Sequence, residues 1–151
     1  MKQRLRHGLL WCAALVWLAL CFVLSGQTGA ETAETSQFLA QILLRLLSLL
    51  GITPDAKAFH SDLRVISHFV VFFMAGTLVN AACLATLRPK RHPAVWTLIS
   101  CGVCAVACEV VKLWIPGRHL QWDELGLNML GVLCGTAVTA LLYRVFKHRS
   151  R

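Results

Sequence analysis

The stretch Val65-Ile-Ser-His-Phe-Val-Val-Phe-Phe-Met-Ala-Gly-Thr-Leu-Val-Asn-Ala-Ala-Cys-Leu-Ala-Thr-Leu87 runs straight into Arg88-Pro-Lys-Arg91. An apolar run of this length matches the roughly 17–25 residues needed to cross a bilayer. Inside hydrocarbon its N–H and C=O groups find partners only within the segment, so it must be an α-helix. Three more runs read the same way, at residues 8–24, 95–115 and 125–143. The composition agrees: 57% of the 151 residues are hydrophobic and 15% charged, against about 25% charged in a soluble domain. A water-soluble globule of this size cannot hide that much apolar side chain. The chain therefore reads as one all-α integral membrane domain with four transmembrane helices. It is not a cytosolic enzyme, a disordered tail or a disulfide-stapled secreted domain.

The basic residues orient the spans. If the N-terminus is cytoplasmic, the inner segments carry Lys2, Arg4, Arg6, Arg88, Lys90, Arg91, Arg144, Lys147, Arg149 and Arg151 and no acid. The acids Glu31, Glu34, Asp55, Asp62, Glu109, Asp123 and Glu124 fall on the outer side or near the outer helix ends. This is the Lys/Arg bias of cytoplasmic loops. It places both termini in the cytoplasm and makes the net charge of +8 mostly a topology signal, with no nucleic-acid partner implied. A basic start, an apolar run and Thr28-Gly29-Ala30 also fit a cleaved signal peptide, although the run is long for one. The expected location is a bacterial plasma membrane.

Residues 36–50 differ from the spans. Gln37, Gln41, Arg45 and Ser48 recur at helical spacing within an apolar background, which predicts an amphipathic helix on the extracytoplasmic surface. Thr35 or Ser36 would cap it and Gly51 would end it, with residues 52–63 as a plain connection. The seven cysteines all lie within apolar spans. Cys101 and Cys104 have metal or redox spacing but no second pair, so small-residue packing is the better reading. No disulfide, metal or cofactor is expected.

Polar residues within spans are expensive and mark candidate sites. Here they gather at the outer helix ends. Ser25 and Gln27 close the first run, and Arg64 and His68 open the second, one turn apart on one face. Glu109 and Lys112 sit near the end of the third, Pro116-Gly-Arg-His119 makes the turn, and Asp123 and Asn128 open the fourth. Each has a plain structural alternative. Asp123 suits a helix N-cap, Glu109 and Lys112 neutralise each other, and Arg64 can snorkel to lipid phosphates. Asn128, Gly131 and Gly135 share a face that allows close packing. Independent packing needs would scatter across depths, whereas these residues share one depth, and His68, Glu109 and Arg118 are expected to lie together.

The stretch Glu109 to Gly131, with Pro116-Gly117-Arg118, Asp123 and Asn128, followed by Gly135, resembles the signature of VanZ-like membrane proteins. Arg64 with His68-Phe, and Ser25-Gly-Gln27, resemble that family's features at the first two helices. Lys112 stands where the family pattern has Gln, and His119 replaces a commoner small residue. The resemblance implies a multi-pass membrane protein associated with low-level resistance to teicoplanin-type glycopeptides, and supplies no reaction. Two chemistries fit the residues. In a binding site, Arg64, Arg118 and Lys112 would hold an anionic outer-leaflet lipid or lipid-linked cell-wall precursor, since Arg offers a planar fork for phosphate. Gln27, His68, Glu109, Asp123 and Asn128 would complete that site. In an enzyme, His68, Glu109 and Asp123 would be the acid–base candidates, acting on an envelope lipid or glycan.

Overall fold

A computed structural model of the chain describes residues 2–28, 31–32, 34, 37–38, 41–42, 45, 49, 56–87 and 92–149. Among these, four long helices carry the fold. They are α1 (Lys2–Ser25), α2 (Ala56–Thr86), α3 (Pro93–Val111), continued by a 3-10 turn over Lys112–Trp114, and α4 (Trp122–Arg149). All four are long and apolar enough to cross a membrane. Leu15, Val16 and Val23 on α1, Val103 and Val106 on α3, and Leu133 and Leu141 on α4 are exposed. In water such a surface would be a liability; in lipid it is the solvent-facing side. Trp114 and Trp122, 77% and 74% exposed, flank the α3–α4 turn as interfacial tryptophans do.

Two expectations change in detail. Residues 56–63, expected as loop, extend α2 by two turns: Ala56-Lys-Ala-Phe-His-Ser-Asp-Leu63 holds neither Gly nor Pro, so nothing in it stops a helix. The amphipathic helix expected over residues 36–50 lies largely outside the described residues, as do Thr35, Ser36 and Gly51. Its described positions, Gln37, Phe38, Gln41, Ile42, Arg45 and Leu49, are helical and exposed.

The closest helix contact joins α2 and α4. A Cβ on Gly131 would stand 2.5 Å from the Phe69 carbonyl, one on Gly76 would stand 2.7 Å from that of Val132, and one on Gly135 would meet Phe73's carbonyl oxygen. Only glycine permits this approach, the small-residue packing typical of membrane helices. Toward the end that carries the termini, the Asn80 amide donates to the Thr136 carbonyl (3.0 Å) and accepts from Thr97 Oγ1 (3.3 Å), tying α2, α3 and α4 together. α1 is the peripheral helix, held to α2 by the indoles of Trp11, donating to Thr86 Oγ1 (3.4 Å), and Trp17, donating to the Val71 carbonyl (2.9 Å).

Candidate functional site

The opposite end of the bundle gathers the polar side chains, and the α3–α4 connection is built to aim them. The 3-10 turn tightens the end of α3 and swings Lys112 inward, where it is 1% exposed. Ile115 to Arg118 then close a turn in which Arg118 N–H donates to the Ile115 carbonyl (3.1 Å). Pro116 holds its second position and Gly117, at φ +77°, its third. This is the type II pattern, which needs the positive φ that glycine adopts freely.

Lys112 Nζ donates to Glu109 Oε1 at 2.5 Å and to Glu124 Oε2 at 2.6 Å. Glu109 Oε2 accepts the Gln121 backbone N–H (3.3 Å). The same Glu124 oxygen lies 3.2 Å from His68 Nε2, and His68 Nδ1 lies 3.2 Å from Asn128 Oδ1. A continuous chain thus runs from Asn128 through His68, Glu124 and Lys112 to Glu109, across α2, α3 and α4. Glu109 and Asn128 are each 1% exposed and Glu124 7%. Charges at this burial persist only when paired and hydrogen-bonded.

Arg118 stands beside this chain with different partners. Its Nη1 donates to the Gln27 carbonyl (2.7 Å) and to Thr32 Oγ1 (3.1 Å), both neutral acceptors. Thr32 is placed by a capping box. Thr28 N–H and hydroxyl donate to Glu31 Oε2 (2.8 and 3.0 Å) while Glu31 N–H donates to Thr28 Oγ1 (3.3 Å), and Thr32 N–H donates to the Thr28 carbonyl (3.0 Å). These bonds, that from the Thr28 backbone first, hold the Glu31 carboxyl below its ordinary range.

Below Arg118 lies a cavity of about 180 Å³ between α1 and α2. Ser25, Gln27, Thr32, Ser67, His68, Lys112 and Arg118 form its polar side, and Cys21, Leu24, Val71 and Phe72 its apolar side. A second cavity, of about 460 Å³, lies on the other side of His68, against Trp122, Asp123, Glu124 and Val65.

Of the residues singled out in the sequence, the structure brings His68, Glu109, Lys112 and Asn128 into one network. It sets Arg118 and Gln27 over the cavity that His68 and Lys112 also line. Gln27 contributes its backbone carbonyl to Arg118. His68 and Glu109 make no direct bond, being joined through Glu124 and Lys112. Asp123 stands apart, exposed on the second cavity, and its expected place in the network is taken by Glu124. Adjacent helical residues point about 100° apart, and Glu124, not Asp123, lies one turn before Asn128 on the face that continues through Gly131 and Gly135. Extending that face backwards would have found it. Thr32 was also missed, although Thr28-Gly-Ala-Glu31 is a legible capping-box spacing. Arg64 lies on α2 one turn before His68, and its side chain is outside the described residues.

A family model described as VanZ/LLP1 matches residues 10–146, nearly the whole chain. No curated protein and no solved structure matches.

Proposed function

The chain belongs to the VanZ/LLP1 family, and from that premise we propose that it contributes to low-level resistance to teicoplanin-type glycopeptides from a bacterial plasma membrane. Both termini are cytoplasmic in this reading, and the polar end of the bundle faces outward. There it engages the anionic headgroup of an outer-leaflet lipid or lipid-linked cell-wall precursor, changing what a lipid-anchored glycopeptide meets at the membrane surface. The observation that carries the reading is Arg118. It donates to a carbonyl and a hydroxyl, so its charge is oriented without being cancelled, and it lines a cavity. A guanidinium so held has N–H groups and charge left for a phosphate.

Acid–base chemistry is the second reading, favoured by the contact of His68 with Glu124 at the boundary of both cavities. It is weaker because the groups it needs are already engaged. Both ring nitrogens of His68 face oxygen, and both Glu109 oxygens accept bonds.

The test is teicoplanin tolerance in cells expressing the wild type, Arg118→Gln or Arg118→Lys at matched membrane levels. Arg118→Gln should lose the tolerance, and Arg118→Lys, a point charge without the fork, should retain part of it. Full tolerance with Arg118→Gln would sink the reading.

A further inference from the structure

Five of the seven cysteines share one packed cluster. Cys21 on α1, Cys83 on α2, and Cys101 and Cys108 on α3 are buried, and Cys104 packs against them. Close packing of membrane helices asks only for small side chains, which alanine or glycine supplies as well. It does not ask sulfurs to face one another, and in this cluster two of them do. Cys104 and Cys108 stand four residues apart on α3, a spacing that leaves about 5–6 Å between Cβ atoms on one helix face. The Cys104 thiol donates to the Cys108 sulfur. Cys21 approaches from α1 and interacts electrostatically with both. The structure thus pairs Cys104 with Cys108, not with Cys101, its partner by sequence spacing.

The pair adjoins the cavity below Arg118. The Ser25 hydroxyl donates to Cys108, and Ser25 and Cys21 both line that cavity. A small ion there stands one side chain away from the two thiols. The donor set then decides which ion fits. Thiolate sulfur is a soft ligand and selects soft cations. Structural zinc takes four protein ligands, and among the described residues no group of three or more His, Cys, Asp or Glu is placed to hold a metal. Two sulfurs on one helical turn instead suit a cation satisfied by two thiolates, as copper(I) is.

We infer that Cys104 and Cys108 form a two-sulfur site for a soft monovalent cation, copper(I), beside the Arg118 cavity. Binding replaces the two thiol protons with the cation and releases them to water. The site stands apart from the anion-site reading and survives its failure. The test uses the full chain in neutral detergent, kept anaerobic and reduced. Copper(I) is supplied as its coloured bicinchoninate complex, whose loss of colour reports transfer to the protein, and native mass spectrometry counts the ions retained. The wild type should take up one copper(I) per chain and no zinc(II). Cys104→Ser and Cys108→Ser should each lower the affinity at least about a hundredfold, since loss of a partner that only supports a ligand already costs about 10–100-fold. Cys12→Ser and Cys134→Ser should bind as the wild type does. Thermal unfolding reports whether each variant is folded, and Cys104→Ala and Cys108→Ala replace any serine variant that is not. X-ray absorption of the copper-loaded wild type, which depends on no variant, should show two sulfur neighbours. No transfer to the wild type overturns the inference, as does copper(I) uptake that ignores both substitutions in folded protein. Zinc(II) retained through the same two cysteines, or three or more ligands around the copper, overturns the two-sulfur assignment.

Discussion

At Lys112 an ammonium that is 1% exposed donates to Glu109 and Glu124, and each carboxylate has a further contact, with the Gln121 N–H and with His68 respectively. Truncating one member leaves buried charge without its partner, which costs about 3–5 kcal/mol in buried ion pairs. Glu124→Ala is therefore expected to lower the unfolding temperature in detergent strongly. Asp123→Ala, at an exposed position in the first turn of α4, should cost no more than about 1 kcal/mol through the helix dipole. Equal losses in the two variants would contradict the assignment of Glu124 to the network. Gly117 is a separate case, since its φ of +77° strains any residue with a Cβ. Gly117→Ala should cost about 1 kcal/mol or more, and, because the turn aims Arg118, should weaken anion binding as well as stability. A variant that loses stability but keeps full teicoplanin tolerance at matched membrane levels would show that the turn does not position Arg118.

Between elements, the α2–α4 seam depends on backbones that approach without side chains between them. Gly131→Ala would place a methyl group 2.5 Å from the Phe69 carbonyl, and overpacking of this kind costs about 1–3 kcal/mol. Gly126, in the same helix, has open space for 4 Å around the position its methyl group would take. Gly126→Ala should therefore be neutral or gain up to about 1 kcal/mol in helix propensity. Thermal unfolding of the pair in one detergent separates contact from propensity: a Gly131→Ala protein as stable as Gly126→Ala would mean that the seam is not tightly packed. His68–Asn128 and Asn80–Thr136 sit at either end of this seam. Its register is therefore fixed by polar contacts as well as by the glycines.

For the whole molecule, the four-span reading expects Lys57 and Lys90 on opposite sides of the bilayer. A membrane-impermeant maleimide applied to intact cells should label Lys57→Cys and not Lys90→Cys, over the background of the native thiols. The warrant is the inner set of ten basic residues with no acid. The reverse pattern would place the Arg118 cleft on the cytoplasmic side and end the outer-leaflet reading.

The number of spans, their helical nature and the clustering of polar residues at one end were determined by the sequence alone. Hydrocarbon forbids unpaired backbone over such lengths, and apolar runs and charges are local properties of the chain. The α2–α4 seam was half legible, in the spacing of Asn128, Gly131 and Gly135. Tertiary structure decided which of two adjacent carboxylates, Asp123 or Glu124, meets Lys112 and His68, because that depends on how α4 is rotated against α2 and α3. It also decided that Arg118 donates to a carbonyl and a hydroxyl from the segment after α1. No spacing within the sequence encodes a contact between residues 27 and 118; only the packed bundle brings them within 2.7 Å.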